Sequence, residues 1–279
     1  MKTASPFILP PLITPTPWDA LRQFTDARIA LGRAGVSLPT NAHLAFQLAH
    51  AQARNAVHLP LDASGVAASL QALGLTTLLL HSQAADRATY LQRPDRGRRL
   101  DAASLHTLAR WQALARNMAQ PAGDAAFDLA LVVADGLSAR AIHENAVPLL
   151  THLLQRLQNG RTPGWRIAPV AVVEQARVAI GDEVGERLGA SLVVVLIGER
   201  PGLSSPDSLG LYLTWAPQVG KMDAQRNCIS NVRPAGLSVD AAAQTLHRRM
   251  SQAHHKQLSG VGLKDDTDTA LAPTAAGIQ

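Results

Sequence analysis

Ser191-Leu-Val-Val-Val-Leu-Ile197 is the stretch whose reading decides the fold. An apolar run this short, rich in β-branched valine, suits a strand better than a helix. Apolar on both of its alternating sides, it predicts a strand covered on both faces, as in a parallel sheet flanked by helices. Asp128–Ala134 (DLALVVA) has the same character and is closed by an Asp135–Gly136 turn, with a helix starting at Ser138. Pro148 falls inside that helix and predicts a kink or a restart near Ala146. After the Gly160–Gly164 loop, Ile167–Val173 repeats the apolar run, Asp182–Leu188 can form a short helix, and Leu209–Trp215 reads as a strand. Ser238 or Asp240 can cap a last helix running through Leu246, Met250 and His254. Apolar strands alternating with helices predict an α/β fold with a doubly wound, mostly parallel, Rossmann-like sheet.

Working outward toward the N-terminus, the period changes to that of helices. Trp18–Arg33 carries apolar residues at Leu21, Phe24, Ile29 and Leu31. Thr40 or Asn41 can cap a helix reaching about Val57, and Asp62 or Ser64 another that stops at Gly74. Thr76–Gln92 and Leu100–Ala119 complete a helical set, divided by the turn around Pro94 and Gly97. The organisation expected is a Pro-rich extended arm over 1–17, a helical N-terminal region over 18–120, an α/β domain over 121–263 and a small, polar, flexible tail over 264–279.

Composition narrows the functional classes. With 279 residues, 47% hydrophobic and 17% charged, the chain is long and apolar enough for a sizeable core. The net charge of +5 is almost all arginine, but the arginines are dispersed and aromatics make up only 4%, so no nucleic-acid partner is expected. One cysteine, Cys228, excludes an internal disulfide framework and points to a reducing compartment, most simply the cytoplasm. The N-terminus, MKTASPFILPPLITPTPW, is interrupted by five prolines and lacks the unbroken apolar run of a signal peptide. The apolar runs fall far short of the roughly 20 residues that span a bilayer, so no membrane partner is expected.

Sheets of this type bind ligands outside the carboxyl ends of their strands. Those ends are 135–138, 173–182, 198–205 and the loop expected to hold Cys228. Gly181, Gly185 and Gly189 open a helix after an apolar stretch, yet their spacing is not GxGxxG and no GxxxxGK[ST] occurs. Asp182, Glu183 and Glu186 put carboxylates where a phosphate would sit, so close helix packing through small residues competes with phosphate binding. Cys228 can be a nucleophile, a ligand contact or a small apolar filler. Asp135 with His143 and Glu144 can be read as a hydrolase acid/base set, or Asp135 as a helix cap. The histidines show no metal-binding spacing; His254 and His255 are adjacent and point apart on a helix, so no metal bound directly by this chain is expected. Arg93-Pro-Asp-Arg-Gly-Arg-Arg99 is the densest charge and can be a solvated turn, a subunit contact or, less readily, a nucleic-acid contact. No complete catalytic set is visible, which fits a chain whose reactive chemistry comes from a cofactor or a partner subunit.

Five ordered segments carry a family resemblance: Asp26–Gly35 (DARIALGRAG), Asp86–Pro94 (DRATYLQRP) followed by Gly97-Arg-Arg99, Arg177–Gly185 (RVAIGDEVG), Gly198–Leu203 (GERPGL) and Asn227–Asn231 (NCISN). From about Trp18 to Lys264 the chain closely resembles the small subunit of ethanolamine ammonia-lyase. The resemblance implies an adenosylcobalamin-dependent lyase that converts ethanolamine to acetaldehyde and ammonia by a radical mechanism. It implies a cofactor lying between a large TIM-barrel subunit and this chain in a hetero-oligomer, with substrate and acid/base residues mainly in the large subunit. Carried over by motif, Val178, Glu199 and Cys228 correspond to cobalamin contacts, and 121–263 becomes the cobalamin-contacting domain. No DxHxxG occurs, consistent with a base-on cofactor that keeps its dimethylbenzimidazole ligand. An enzyme of this family sits in the cytoplasm, free or inside a bacterial microcompartment. Two other readings remain: a stand-alone α/β hydrolase using Asp135 and His143, and an assembly subunit docking through its N-terminal arm and arginine-rich turn.

Overall fold

The computed structural model describes residues 12–25, 27–117, 127–158 and 164–263. The tail expected over 264–279 and most of the N-terminal arm lie outside these residues. Six strands form one sheet in the order β1-β3-β2-β4-β5-β6: β1 (Thr77–His81), β2 (Phe127–Ala134), β3 (Val170–Glu174), β4 (Ala190–Gly198), β5 (Leu209–Trp215) and β6 (Arg226–Val232). The pairs β1–β3, β3–β2 and β2–β4 are parallel, while β5 runs antiparallel to both β4 and β6.

The alternation expected of doubly covered strands is present residue by residue. In β4, Leu192, Val194 and Leu196 enter one core, whereas Val193, Val195 and Ile197 enter the other. In β2, Leu129, Leu131 and Val133 separate in the same way from Ala130, Val132 and Ala134. The first core is closed by α2 (Ala63–Ala72), α5 (Ala139–Gln158) and α7 (Val239–Lys256), through Leu70, Leu149, Leu153, Leu246 and Met250. The second is closed by α4 (Ala102–Asn117) and α6 (Ile180–Leu188), through Leu108, Ile180, Val184 and Leu188. Each fully buried aliphatic side chain contributes roughly 1.5–3 kcal/mol by leaving water, so the central strands anchor the fold from both sides. No helix among the described residues is long and apolar enough to cross a membrane.

Several expectations are corrected. Trp18–Arg33 is not one helix: a 3-10 helix over Pro17–Phe24 ends at Thr25, which is extended, and Ala30 and Gly32 have positive φ, which no right-handed helix admits. Thr76–Gln92 is not a helix either. It contains β1 and the short α3 (Arg87–Gln92), so the sheet takes its edge strand from before residue 120. The α1 helix (Thr40–His58) and α2 occur close to their expected bounds; Asp62 caps α2 by accepting the Gly65 amide, and Gly74 follows its end with φ of 84°. Pro148 neither splits nor restarts α5. Pro148 and Glu144 are both exposed, so the missing N–H falls on the outer face of the helix. Cys228 lies in strand β6 rather than in a loop.

Gly181 shows why α6 can lie flat against the sheet. A Cβ there would sit 2.3 Å from Cγ2 of Val195, and one at Gly185 would sit 3.1 Å from Cβ of Val193. These glycines serve close helix–strand packing. Gly181→Ala is therefore expected to destabilise the fold by about 1–3 kcal/mol through overpacking. Urea unfolding of the single variants and of Gly181→Ala/Val195→Ala checks this: the double variant should cost clearly less than the sum of the two, and strict additivity would contradict the contact.

Candidate functional site

The parallel strands end together, and the loops leaving them are bound into one rim. After β2 the chain turns at Asp135–Gly136, and Ser138, not Asp135, caps α5 by accepting the Ala141 amide on its hydroxyl at 3.2 Å. The Asp135 carboxylate instead crosses to the end of β3, accepting the Gln175 amide at 3.0 Å and the Ala176 amide at 2.9 Å. Asp135 is almost fully buried, and Arg87 stands 3.6 Å away. Desolvation raises its pKa to about 6, against the opposing pull of the Ala176 amide, Arg87 and the Gln175 amide.

Arg87 extends the network. Its Nη1 donates to the Gly136 carbonyl at 2.8 Å and to Gln175 Oε1 at 3.3 Å, and its Nε donates to the Val57 carbonyl near the end of α1 at 2.6 Å. The guanidinium groups of Arg87 and Arg177 both lie over the Tyr90 ring, 4.6 and 4.5 Å from its centroid. Arg177 also donates to the Tyr90 carbonyl at 2.8 Å. Burial first, and the Asp135 charge second, push the Tyr90 hydroxyl up to about 12.

On the β4 side, backbone touches backbone. Gly136 has φ of 55°, and a Cβ there would sit 2.2 Å from the Gly198 carbonyl oxygen; one at Gly198 would sit 2.0 Å from that of Ser138. The Leu137 amide donates to the Gly198 carbonyl at 2.9 Å. Only glycines allow the turn after β2 to press against the end of β4. This is where the chain leaves two neighbouring parallel strands in opposite directions, β2 toward β3 and β4 toward β5, the place where such sheets open a crevice.

A cleft of about 420 Å³ opens here, lined among others by Tyr90, Gly136, Arg177, Val178, Glu199 and Tyr212. Two residues singled out from the sequence, Val178 and Glu199, thus meet in one cleft. Val178 is half-buried in the turn leading into α6. Glu199 is held by the hydroxyl of Ser208 and by the amide of Asn231 at 3.1 Å, both donating to Oε2, rather than by Arg200. Its Oε1 carries no hydrogen bond among the described residues. Cys228 does not line this cleft. It is exposed on β6, directly across the ladder from Tyr212, which does. Desolvation raises the Cys228 thiol above its usual range; the Tyr212 hydroxyl opposes this and the Glu199 charge adds to it.

The acid/base pair considered for a hydrolase is not assembled. While Asp135 points to the end of β3, His143 is exposed on α5 and accepts the Asp62 amide on its Nε2 at 3.0 Å. No group of three His, Cys, Asp or Glu side chains is gathered as metal ligands among the described residues. The arginine-rich turn lies at this rim. Arg93 pairs locally with Asp95, and Arg99 makes a two-pronged bond to buried Glu183 at 3.0 and 3.1 Å. The Gly97 carbonyl accepts the Arg177 amide. Sequence reasoning missed Arg87 and Tyr90 as rim residues, although Asp86–Pro94 contains them; Arg177 lies in the expected strand-end loop 173–182.

Between pH 6 and 4 the folded chain takes up the Asp135 proton before the unfolded chain does, whose value is near 3.8. This carboxyl therefore adds stability as the pH falls through about 6, and the gain is complete below the unfolded value. Asp135→Asn is expected to cost about 1–3 kcal/mol at pH 7 by disturbing two amide bonds and the Arg87 contact. Its deficit relative to wild type should widen as the pH is lowered from 7 to 4 in denaturant titrations. A deficit constant with pH would contradict the buried carboxyl.

A family model described as ethanolamine ammonia-lyase light chain (EutC) matches residues 15–264. The chain is 59% identical to an ethanolamine ammonia-lyase small subunit of Ralstonia nicotianae, covering 94% of this chain and 93% of the relative. It is 58% identical to the protein of the same description from Azotobacter vinelandii, over 92% of this chain and 91% of the relative. A third, from Pseudomonas syringae pv. tomato, is 58% identical over 90% of this chain and 83% of its own length.

Proposed function

The chain belongs to the ethanolamine ammonia-lyase light-chain family, and from that membership we propose that its cleft forms one wall of an adenosylcobalamin site completed by a large subunit. A small subunit implies a large-subunit partner. In this reading that partner is a TIM barrel, the two form a hetero-oligomer, and the reaction turns ethanolamine into acetaldehyde and ammonia by a radical route. The enzyme works in the cytoplasm, free or inside a bacterial microcompartment, and residues 121–263 form the cobalamin-contacting part.

The observation that carries the proposal is the cleft itself. It is open, lies at the strand ends between β2 and β4, and unites Val178 with Glu199 without a catalytic acid/base pair. Its size fits the edge of a corrinoid rather than the whole, as expected of one wall of a shared site. Its chemistry also fits: a corrinoid has an apolar face and a rim of amide side chains. Glu199 presents a carboxylate already oriented by Ser208 and Asn231, with Oε1 left for a ligand amide. Val178 offers an apolar surface beside it. Cys228, next to Tyr212, gives a compact contact at the outer edge, as a thiol and not as a nucleophile. The base-on cofactor, when bound, supplies the radical chemistry through its cobalt–carbon bond. This chain's residues bind and orient it, and the chain alone is inactive.

Two variants in the reconstituted complex test the assignment. Glu199→Ala should weaken cyanocobalamin binding by about tenfold, the loss of one charge-assisted hydrogen bond, with the complex still assembled. Cys228→Ser should retain most of the lyase activity. An unchanged dissociation constant for the first variant would refute the role of Glu199. Complete inactivation of the second, with normal cofactor binding, would refute that of Cys228.

A further inference from the structure

Beside the cleft, and sharing Arg177 and Val178 with it, lies a second recess of about 560 Å³. Its wall carries five cationic side chains, Arg98, Arg99, Arg177, Lys221 and Arg226, against two carboxylates, Asp182 and Asp223. Both carboxylates are drawn to Arg226. Asp182 takes its two terminal nitrogens at 2.6 and 2.7 Å, and Asp223 stands 3.6 Å from its Nε. Arg99 is engaged by Glu183. Of the three carboxylates the sequence places at α6, Asp182 and Glu183 are thus each paired with an arginine, and Glu186 accepts the Val219 amide.

What remains is positive. Arg98 is exposed, Lys221 is half-buried, and neither side chain makes a hydrogen bond or ion pair among the described residues. Arg177 has no carboxylate in ion-pair range there, and its Nε is buried without a hydrogen-bond partner. The recess also lies at the N-terminal end of α6, where the peptide dipoles add the same sign. The Arg98 fork and the Lys221 ammonium, with the charge of Arg177 held beside them by Tyr90, match an oxyanion with several acceptor atoms. No aromatic side chain lines the recess, which argues against a base-stacking ligand.

We propose that the recess bounded by Arg98, Arg177 and Lys221 is an anion site for a phosphate ester. That ester is either the phosphodiester of the nucleotide tail of a cobalamin seated in the adjoining cleft, which rests on the function proposed above, or the phosphate of a free metabolite.

The test compares the wild-type complex of this chain and its large subunit with one carrying Arg98→Ala/Lys221→Ala. Neither side chain holds the fold, so the melting temperature should not move. Calorimetry measures three probes: inorganic pyrophosphate, cyanocobalamin, and cobinamide, which has the corrin ring but lacks the nucleotide tail and its phosphate. Wild type should bind pyrophosphate, and the double variant should bind it on the order of tenfold more weakly. If the tail is the occupant, the variant also loses cyanocobalamin affinity while keeping that for cobinamide. Loss of pyrophosphate binding alone assigns the recess to a free phosphate ester. Pyrophosphate binding that is absent or equal in both proteins, together with equal effects on the two corrinoids, overturns the anion site. Failure of the wild-type complex to bind either corrinoid counts against the cobalamin reading only, and pyrophosphate then decides the recess.

Discussion

The architecture of the rim depends on one buried carboxylate. Asp135 leaves the end of β2 and closes on two backbone amides at the end of β3, while Arg87 beside it reaches Gly136 and the carbonyl of Val57 in α1. Three distant parts of the chain are thereby fixed to one point. An unpaired charge in that position would be costly, so the amides and the guanidinium have to be in place for the rim to close. The same constraint sets the position of Tyr90 between its arginines and, through Gly136 against Gly198, the seam between β2 and β4. Desolvation holds the Asp135 carboxyl well above the ordinary range, against the pull of the two amides and Arg87.

Central elements were legible in the sequence because their burial is written in consecutive residues. The runs in β2 and β4 are apolar on both alternating sides since both faces are covered, and no other environment favours them. Edge strands lack that signature. Thr77–His81 is short and leucine-rich, covered mainly on one side, and leucine favours helices as readily as strands; only pairing with β3 makes it a strand. Arg226–Val232 is mostly polar, and its pairing with β5 is what turns the expected loop around Cys228 into β6. Val178 and Glu199 were singled out only through the family motifs that contain them, and the fold brings both to one cleft. The Asp135–Arg87–Tyr90–Arg177 network was not legible, since Arg177 reaches Tyr90 across 87 positions and Asp135 reaches the Ala176 amide across 41, and nothing local marks either contact.

The functional reading follows from what the rim contains and what it lacks. It offers an oriented carboxylate, an apolar side chain and a crevice at the strand ends, but the candidate acid and base stand on different contacts. In the proposed function such an arrangement binds and orients, and the partner brings the chemistry. Family membership adds the companion, since a light chain presupposes a heavier one.

The central claim is that the ends of β2, β3 and β4 form one rigid rim that a corrinoid touches when the large subunit is present. Hydrogen–deuterium exchange of the assembled complex, with and without cyanocobalamin, tests it most directly. Slowed exchange of the amides at 136–138, 176–180 and 198–200 on adding the ligand is the predicted result. Unchanged exchange across these three segments, with protection appearing elsewhere on the chain or only on its partner, would contradict it.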